Sequence, residues 1–173
     1  VPYITDHPNA LLMGIHRTSD HRIFVSFYAR GVYYYNENGK KLGSYTTDNS
    51  PLTNNYVMDL MEYKGKVWLA TDGGGINLVD LESGEFSFLS HTTGDPASLP
   101  GNSIIRLYKD YNGHLWIGSV RGGAIHVKES YIRTYQDVIF NQSMGLTEKS
   151  VTGLYEEEDG RLWVGTDGGG INL

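Results

Sequence analysis

Three tryptophans at nearly equal spacing constrain the fold of this chain more than any other feature. Trp68, Trp116 and Trp163 lie 48 and 47 residues apart, and each follows a glycine by three residues and precedes a glycine-rich turn. Phe24 lies 44 residues before Trp68, in a weaker copy of the same pattern. A period in the forties indicates one supersecondary unit that is duplicated in tandem, because a single unit cannot bury its apolar surface alone.

Each copy predicts four short strands, which we name a to d. In the third copy, strand a covers residues 102–108, and an Asn-Gly corner then leads into strand b with its tryptophan. Strands c and d follow at residues 124–128 and 130–135. Four antiparallel strands in a repeat of this length are typical of a β-propeller blade.

We therefore predict an all-β chain, a β-propeller fragment of about four blades with four antiparallel strands each. The predicted blades cover residues 11–46, 55–90, 102–135 and 149–173, and the last one lacks strand d. Aromatic residues of strand b would pack between blades, and glycines after the turn from b to c would allow the positive φ that such turns require. These repeat-core residues are Phe24, Trp68, Trp116, Trp163, Gly75, Gly123 and Gly170.

Composition excludes several classes of function. The formal net charge is −6 and the 14 lysines and arginines are scattered, so we predict no nucleic-acid binding. No apolar run approaches the length of a membrane helix, and we predict no membrane contact within the chain. The absence of cysteine excludes disulfides and thiolate metal sites.

The tryptophan segments resemble a known repeat. The string Asp-x-x-Gly-x-Leu-Trp-Ile/Val-Gly-Thr/Ser-x-x-Gly-Gly, at residues 110–123 and almost as well at 158–170, is similar to the two-component regulator propeller repeat. Residues 94–104 resemble the connector between blades in those proteins. The first copy departs from the pattern, with Tyr28-Ala29-Arg30 in the turn.

This resemblance implies a function and a location. Such repeats build the periplasmic sensor region of hybrid two-component systems of gut Bacteroides-type bacteria. The parent protein would be anchored in the inner membrane, bind glycan fragments outside and signal to a histidine kinase inside. No kinase motif occurs in these residues, so the chain would be a non-enzymatic part of the sensor, completed by the remaining blades or by self-association.

A ligand is expected at the end of the blades where the loops from b to c and from d to a converge. The b–c turns differ between copies, and sugars need polar groups beside aromatic faces. The candidate ligand-binding residues are therefore Tyr28, Arg30, Tyr56, Asp72, Arg121 and Asp167. The alternative is that they are solvated turn residues and packed tyrosines.

No cofactor or metal site is predicted. His114 and His126 fall on strands b and c of one blade, where they would face each other as a surface pair rather than as metal ligands. Asp110 begins a segment like a calcium loop, but its twelfth residue is Arg121 where a glutamate is required.

Two further functions stay open beside the sensor. A propeller enzyme, a carbohydrate lyase or glycosidase, would need acids at the channel mouth, for which Asp72 and Asp167 are the candidates. A protein-interaction scaffold would bind protein partners and no sugar. The incomplete last blade has three possible complements: a strand from residues 1–4, a second chain, or further blades of a larger propeller.

Overall fold

The computed structural model describes residues 9–95, 97–127 and 145–173, and the backbone of 132–135. All regular secondary structure in these residues is β-strand, arranged in three four-stranded sheets and one three-stranded sheet. Every sheet is an antiparallel meander whose strand order follows the chain. The strand proposed for residues 1–4 lies outside the described residues.

The strands follow the order a to d that the repeat predicts, and in the third sheet strand a begins two residues later than predicted. The first sheet contains β1 (Leu12–Arg17), β2 (Ile23–Phe27), β3 (Gly31–Tyr35) and β4 (Lys41–Tyr45). The second contains β5 (Val57–Tyr63), β6 (Lys66–Thr71), β7 (Gly75–Asp80) and β8 (Phe86–Leu89). The third contains β9 (Ile104–Lys109), β10 (Leu115–Ser119), β11 (Gly123–Val127) and β12 (Ile132–Tyr135). The fourth contains β13 (Val151–Glu156), β14 (Leu162–Thr166) and β15 (Gly170–Asn172).

A bulge recurs at the same place in all four sheets. The pairing of strand a with strand b slips by one residue just after strand a begins, which leaves one strand-a residue without a partner. Such a bulge bends the strand and increases its twist. The four bulged residues are Met13, Met58, Ile105 and Thr152.

The chain divides into two compact units, Val1–Phe88 and Leu89–Leu173. In the first unit one apolar cluster joins both sheets: Phe24, Val32, Leu52, Val57, Leu60, Val67, Leu69 and Val79. Burying each aliphatic side chain of this kind contributes about 1.5–3 kcal/mol. The shared cluster explains why two four-stranded sheets form one unit, because neither sheet could bury these side chains alone.

The second unit has its own core. Ala124, Leu146, Val151 and Val164 form a cluster that joins the third and fourth sheets. Further side chains of the third sheet, those of Ile104, Leu115, Ile117 and Ile125, are fully buried.

The aromatic position of strand b is less uniformly buried than the repeat predicts. Phe24 is 0% exposed and Trp68 is 8% exposed, and the Trp68 indole donates a hydrogen bond to the Tyr63 carbonyl at 3.1 Å. Trp116 and Trp163 are only half-buried. The position therefore belongs to the core in the first unit, and it is partly exposed in the second.

A glutamate near the end of strand a connects the second sheet to the first, and another connects the fourth sheet to the third. Glu62 accepts hydrogen bonds from the backbone N–H and the hydroxyl of Ser19, at 2.5 and 2.7 Å. Glu156 accepts one from the backbone N–H of Tyr111 at 2.8 Å. Ser19 and Tyr111 occupy the same place in the a–b turns of the first and third sheets, so the contact is part of the repeat.

A threonine–asparagine pair ties the connector to strand c. In the second sheet, buried Asn77 accepts a hydrogen bond from the Thr53 backbone N–H at 2.9 Å and donates one to the Thr53 hydroxyl at 2.7 Å. Thr147 donates its N–H to Asn172 in the fourth sheet at 2.8 Å. In the third sheet, Pro100 and buried Ile125 hold the corresponding positions. The polar pair and the apolar pair are thus alternative solutions at one site.

Candidate functional site

The b–c turns of the first unit lie against the connector that opens the second sheet. The backbone N–H of Gly31 donates to the Asn55 carbonyl at 2.9 Å, and that of Asp72 donates to the Tyr56 carbonyl at 2.9 Å. Both b–c turns of this unit are therefore attached to residues 55 and 56. This brings four of the six predicted ligand residues, Tyr28, Arg30, Tyr56 and Asp72, to one end of the unit.

Two exposed tyrosine rings mark this end. Tyr28 is 49% exposed and Tyr56 is 40% exposed. Their ring centroids are 5.1 Å apart and the ring planes stand at 85°. A perpendicular contact of this kind is a preferred arrangement of aromatic rings, and both tyrosines keep exposed surface. We name the two rings the tyrosine pair.

Polar groups surround the tyrosine pair. The side chains of Arg30 and Asp72 are exposed. Asn54 donates a side-chain hydrogen bond to the Asp72 carbonyl at 2.8 Å and accepts one from the Tyr56 backbone N–H at 2.9 Å. Asn54 therefore holds the connector and the turn together. Asn54 is not among the residues predicted from sequence, although it lies only two residues before Tyr56.

The other two predicted residues lie in the second unit, on turns with the same backbone connections. Gly123 donates its N–H to the Lys149 carbonyl, and Asp167 donates its N–H to the Ser150 carbonyl, both at 2.8 Å. Arg121 and Asp167 are exposed. Ser150 replaces Tyr56 at the connector position, and Val120 replaces Tyr28 in the turn. The described turns of this unit thus repeat the backbone without the tyrosines.

One turn position is left-handed in every copy. Gly73 and Gly168 have φ of 95° and 81° there, and Ala29 and Arg121 have φ of 57° and 63°. A non-glycine residue is strained in this region, and such strain collects at functional sites. Arg121 therefore corresponds in position to Ala29, Gly73 and Gly168.

The described residues, 9–95, 97–127, 132–135 and 145–173, include no helix long and apolar enough to cross a membrane.

The third and fourth copies match a known repeat. Residues 98–121 and 145–168 each match the model of the two-component regulator propeller. This confirms the resemblance on which the sequence analysis relied, in the two copies where the motif is best spelled. A comparison with curated proteins gave no match.

Solved structures agree on the fold. The extracellular domain of a proposed hybrid two-component system from B. thetaiotaomicron superposes with a TM-score of 0.71 at 22% identity, over 91% of this chain and 22% of that one. The WD40 β-propeller domain of Doa1 gives a TM-score of 0.65 at 15% identity, over 94% of this chain and 50% of that one. An inactive variant of virginiamycin B lyase from Staphylococcus aureus gives a TM-score of 0.64 at 14% identity, over 99% of this chain and 58% of that one.

The chain spans about a fifth of the length of the B. thetaiotaomicron domain. At these identities the likeness concerns the fold, and it confirms the predicted class. The chain is an all-β fragment of β-propeller fold, and its residues 98–121 and 145–168 match the two-component regulator propeller repeat.

Proposed function

We propose that the chain is part of the extracellular sensor domain of a hybrid two-component regulator. The two matched repeats and the similarity to the B. thetaiotaomicron domain support this role. In this proposal the domain lies in the periplasm, the parent protein is anchored in the inner membrane, and the kinase lies outside these residues. Because the chain is much shorter than that domain, its partners would be the remaining blades or a second copy.

We further propose that the ligand is a fragment of a glycan and that it binds at the tyrosine pair. A sugar ring has apolar C–H faces and polar hydroxyl edges, and it requires flat apolar surfaces beside hydrogen-bonding groups. Tyr28 and Tyr56 supply two exposed rings at a fixed angle of 85°. Arg30, Asp72 and the Tyr hydroxyls supply donors and acceptors around them. The perpendicular contact between two exposed rings is the observation on which this proposal depends.

Isothermal titration with defined neutral oligosaccharides from plant and host polysaccharides tests the proposal. At least one should bind, and Tyr28→Ala and Tyr56→Ala should each weaken binding by about tenfold or more, because aromatic anchors commonly contribute above 1 kcal/mol. Both substitutions remove only the side chain, so the backbone bonds of the turn and connector stay in place.

Tyr111→Ala is the matched control. Tyr111 is 70% exposed, but it lies on the a–b turn of the third sheet, at the opposite end of that sheet from its b–c turn, so its removal should leave binding unchanged. Equal losses in all three variants, or no binding of any oligosaccharide, would contradict the glycan site. The same samples, analysed for released products, separate the sensor from a lyase or glycosidase, for which Asp72→Asn would abolish product formation.

A further inference from the structure

Three side chains with metal-binding atoms meet in the third sheet. Asp110 follows β9, His114 precedes β10 and His126 lies on β11. One carboxylate oxygen and one nitrogen from each imidazole all lie within 4.8 Å of one another. The sequence predicts the two histidines as a surface pair, and the structure adds the buried carboxylate of Asp110 to them.

The hairpin geometry explains why His126 meets His114 and Asp110, which lie 12 and 16 positions before it in the sequence. The a–b turn brings Asp110 back beside His114, and their Oδ2 and Nδ1 atoms are 3.2 Å apart. Trp116 pairs with His126 across β10 and β11, so the side chains of His114 and His126 emerge on the same face. Their ring centroids are 5.1 Å apart at 82°.

The spacing is close to that of a metal centre. Tetrahedral zinc binds imidazole nitrogen and carboxylate oxygen at about 2.0–2.1 Å, which puts neighbouring ligand atoms about 3.3 Å apart. Asp110 and His114 already have this separation. No two of the ligand atoms are more than 4.8 Å apart, so closure around an ion requires side-chain movements of about 1.5 Å at most.

Neighbouring groups orient the ligands as an outer shell does in metal sites. The Asp110 carboxylate accepts hydrogen bonds from the Trp116 indole at 3.1 Å and from the His114 backbone N–H at 2.7 Å. Burial alone raises the pKa of Asp110, but hydrogen bonds from Trp116 and His114 outweigh it and hold the pKa below its ordinary value. The Trp116 ring stacks on His126 at 4.4 Å and 11°.

The site is open on one side only. Asp110 and His126 are 7% and 8% exposed, whereas half of the His114 side chain faces solvent. An ion could therefore enter past His114 and keep a water molecule in its fourth position, as in zinc sites with three protein ligands.

The geometry points to a binding site for a divalent transition metal of the zinc type, held by Asp110, His114 and His126. Two imidazoles and a carboxylate suit Zn²⁺, whereas Mg²⁺ and Ca²⁺ prefer oxygen ligands alone. The ion would fasten the a–b turn of the third sheet to β11. The site belongs to this copy alone among the described ones. The two histidine positions are held by Arg22 and Tyr34 in the first sheet and by Lys66 and Leu78 in the second, and Arg161 holds the first of them in the fourth.

Titration of the tag-free chain with Zn²⁺ tests the site. The wild type should bind one Zn²⁺ per chain, and Mg²⁺ or Ca²⁺ at the same concentration should give no signal. Co²⁺ in place of Zn²⁺ should give the intense visible absorption of a low-coordinate site. This last measurement requires no variant, and a weak spectrum of the fully hydrated, six-coordinate type would overturn the proposal.

Residues that occupy the same positions in the other repeats provide substitutions that the fold already accommodates. His126→Leu introduces the residue of the second sheet, and His114→Arg introduces that of the fourth, where Arg161 pairs with Glu157. Each should weaken Zn²⁺ binding by at least about 100-fold, the upper end of what loss of an outer-shell partner costs. Circular dichroism of both variants should match the wild type.

His21→Asn is the matched control. His21 lies 3.1 Å from the Glu37 carboxylate, so it forms a histidine–carboxylate pair without a second imidazole. Asparagine tolerates its left-handed backbone, φ 69°. This variant should bind Zn²⁺ as the wild type does. No saturable binding by the wild type, or binding that His126→Leu leaves unchanged, would overturn the proposal.

Discussion

Replacing the buried amide of Asn77 with isoleucine tests the threonine–asparagine pair that fastens the connector to strand c. Asn77→Ile removes the hydrogen bonds at 2.9 and 2.7 Å between Asn77 and Thr53. Each such bond contributes about 0.5–1.5 kcal/mol net. Thr53 is exposed, so water can satisfy its N–H, and the full desolvation penalty does not apply. We expect a loss of about 2 kcal/mol, or about 4–8 °C in Tm for a chain of this size.

The residues at the same positions in the third sheet indicate how the lost free energy of unfolding can be recovered. Pro100 has no N–H to satisfy, and Ile125, its partner position on strand c, is fully buried. The double variant Thr53→Pro with Asn77→Ile reproduces this apolar pair in the second sheet. It should recover at least half of the stability lost in Asn77→Ile, which corresponds to a coupling free energy of at least about 1 kcal/mol, since any cost of Thr53→Pro alone adds to it.

Urea denaturation followed by circular dichroism measures the coupling in a double-mutant cycle. Hydrogen exchange of peptides from residues 50–80 localises the effect to the second sheet. Peptides from residues 145–172 are the internal control, because the Thr147–Asn172 contact is untouched there. Strictly additive losses in the two single variants would refute the reasoning, since the two residues would then act independently.

Three further predictions concern single side chains. Glu62→Ala should lower the free energy of unfolding by about 1 kcal/mol in urea denaturation, because the Ser19 N–H and hydroxyl lose their acceptor. An unchanged urea midpoint would show that the Glu62–Ser19 hydrogen bonds do not stabilise the pair of sheets. Arg121→Gly should raise that free energy by about 1 kcal/mol by relieving its left-handed backbone, φ 63°, and a loss would show that the Arg121 side chain makes a stronger contact. Burial, and then the neighbouring Tyr34, raise the pKa of Tyr45 to about 12, so its contribution to stability is complete below about pH 10 and is lost as the pH rises to 12. Tyr45→Phe should therefore lose less stability than the wild type across this interval, as measured by urea midpoints, and parallel curves would contradict it.

The strands could be predicted because the same pattern of strands and turns occurs in four copies along the chain. Where a single copy is ambiguous, as around Phe24, the alignment with Trp68 assigns it. The recurrent bulge could not be predicted, because it is a shift in the pairing of two strands. No residue type marks it: Met13, Met58, Ile105 and Thr152 share no common chemistry.

The candidate sites were only partly predictable, because they depend on contacts between copies or across a turn. Tyr28 and Tyr56 were both named from sequence, but their ring contact follows from the way the first b–c turn meets the next connector. Asp110 was assigned to the repeat framework, and its carboxylate was not considered with the histidines. Its position beside them follows from the hairpin, in which it bonds to His114 and Trp116 at once.

Aligned copies also show how one pair of backbone positions can serve different chemistry. In the first sheet the pair that corresponds to His114 and His126 is Arg22 and Tyr34, and the guanidinium carbon lies 6.0 Å from the tyrosine ring centroid, a cation–π contact. The positions face each other in both sheets because the strand register is the same. The framework therefore specifies that these side chains meet, and the residue types decide whether the contact only stabilises the blade or can hold an ion. A departure from the repeat at such a pair is a stronger indication of function than a departure at a solvated turn, because its geometry is already determined.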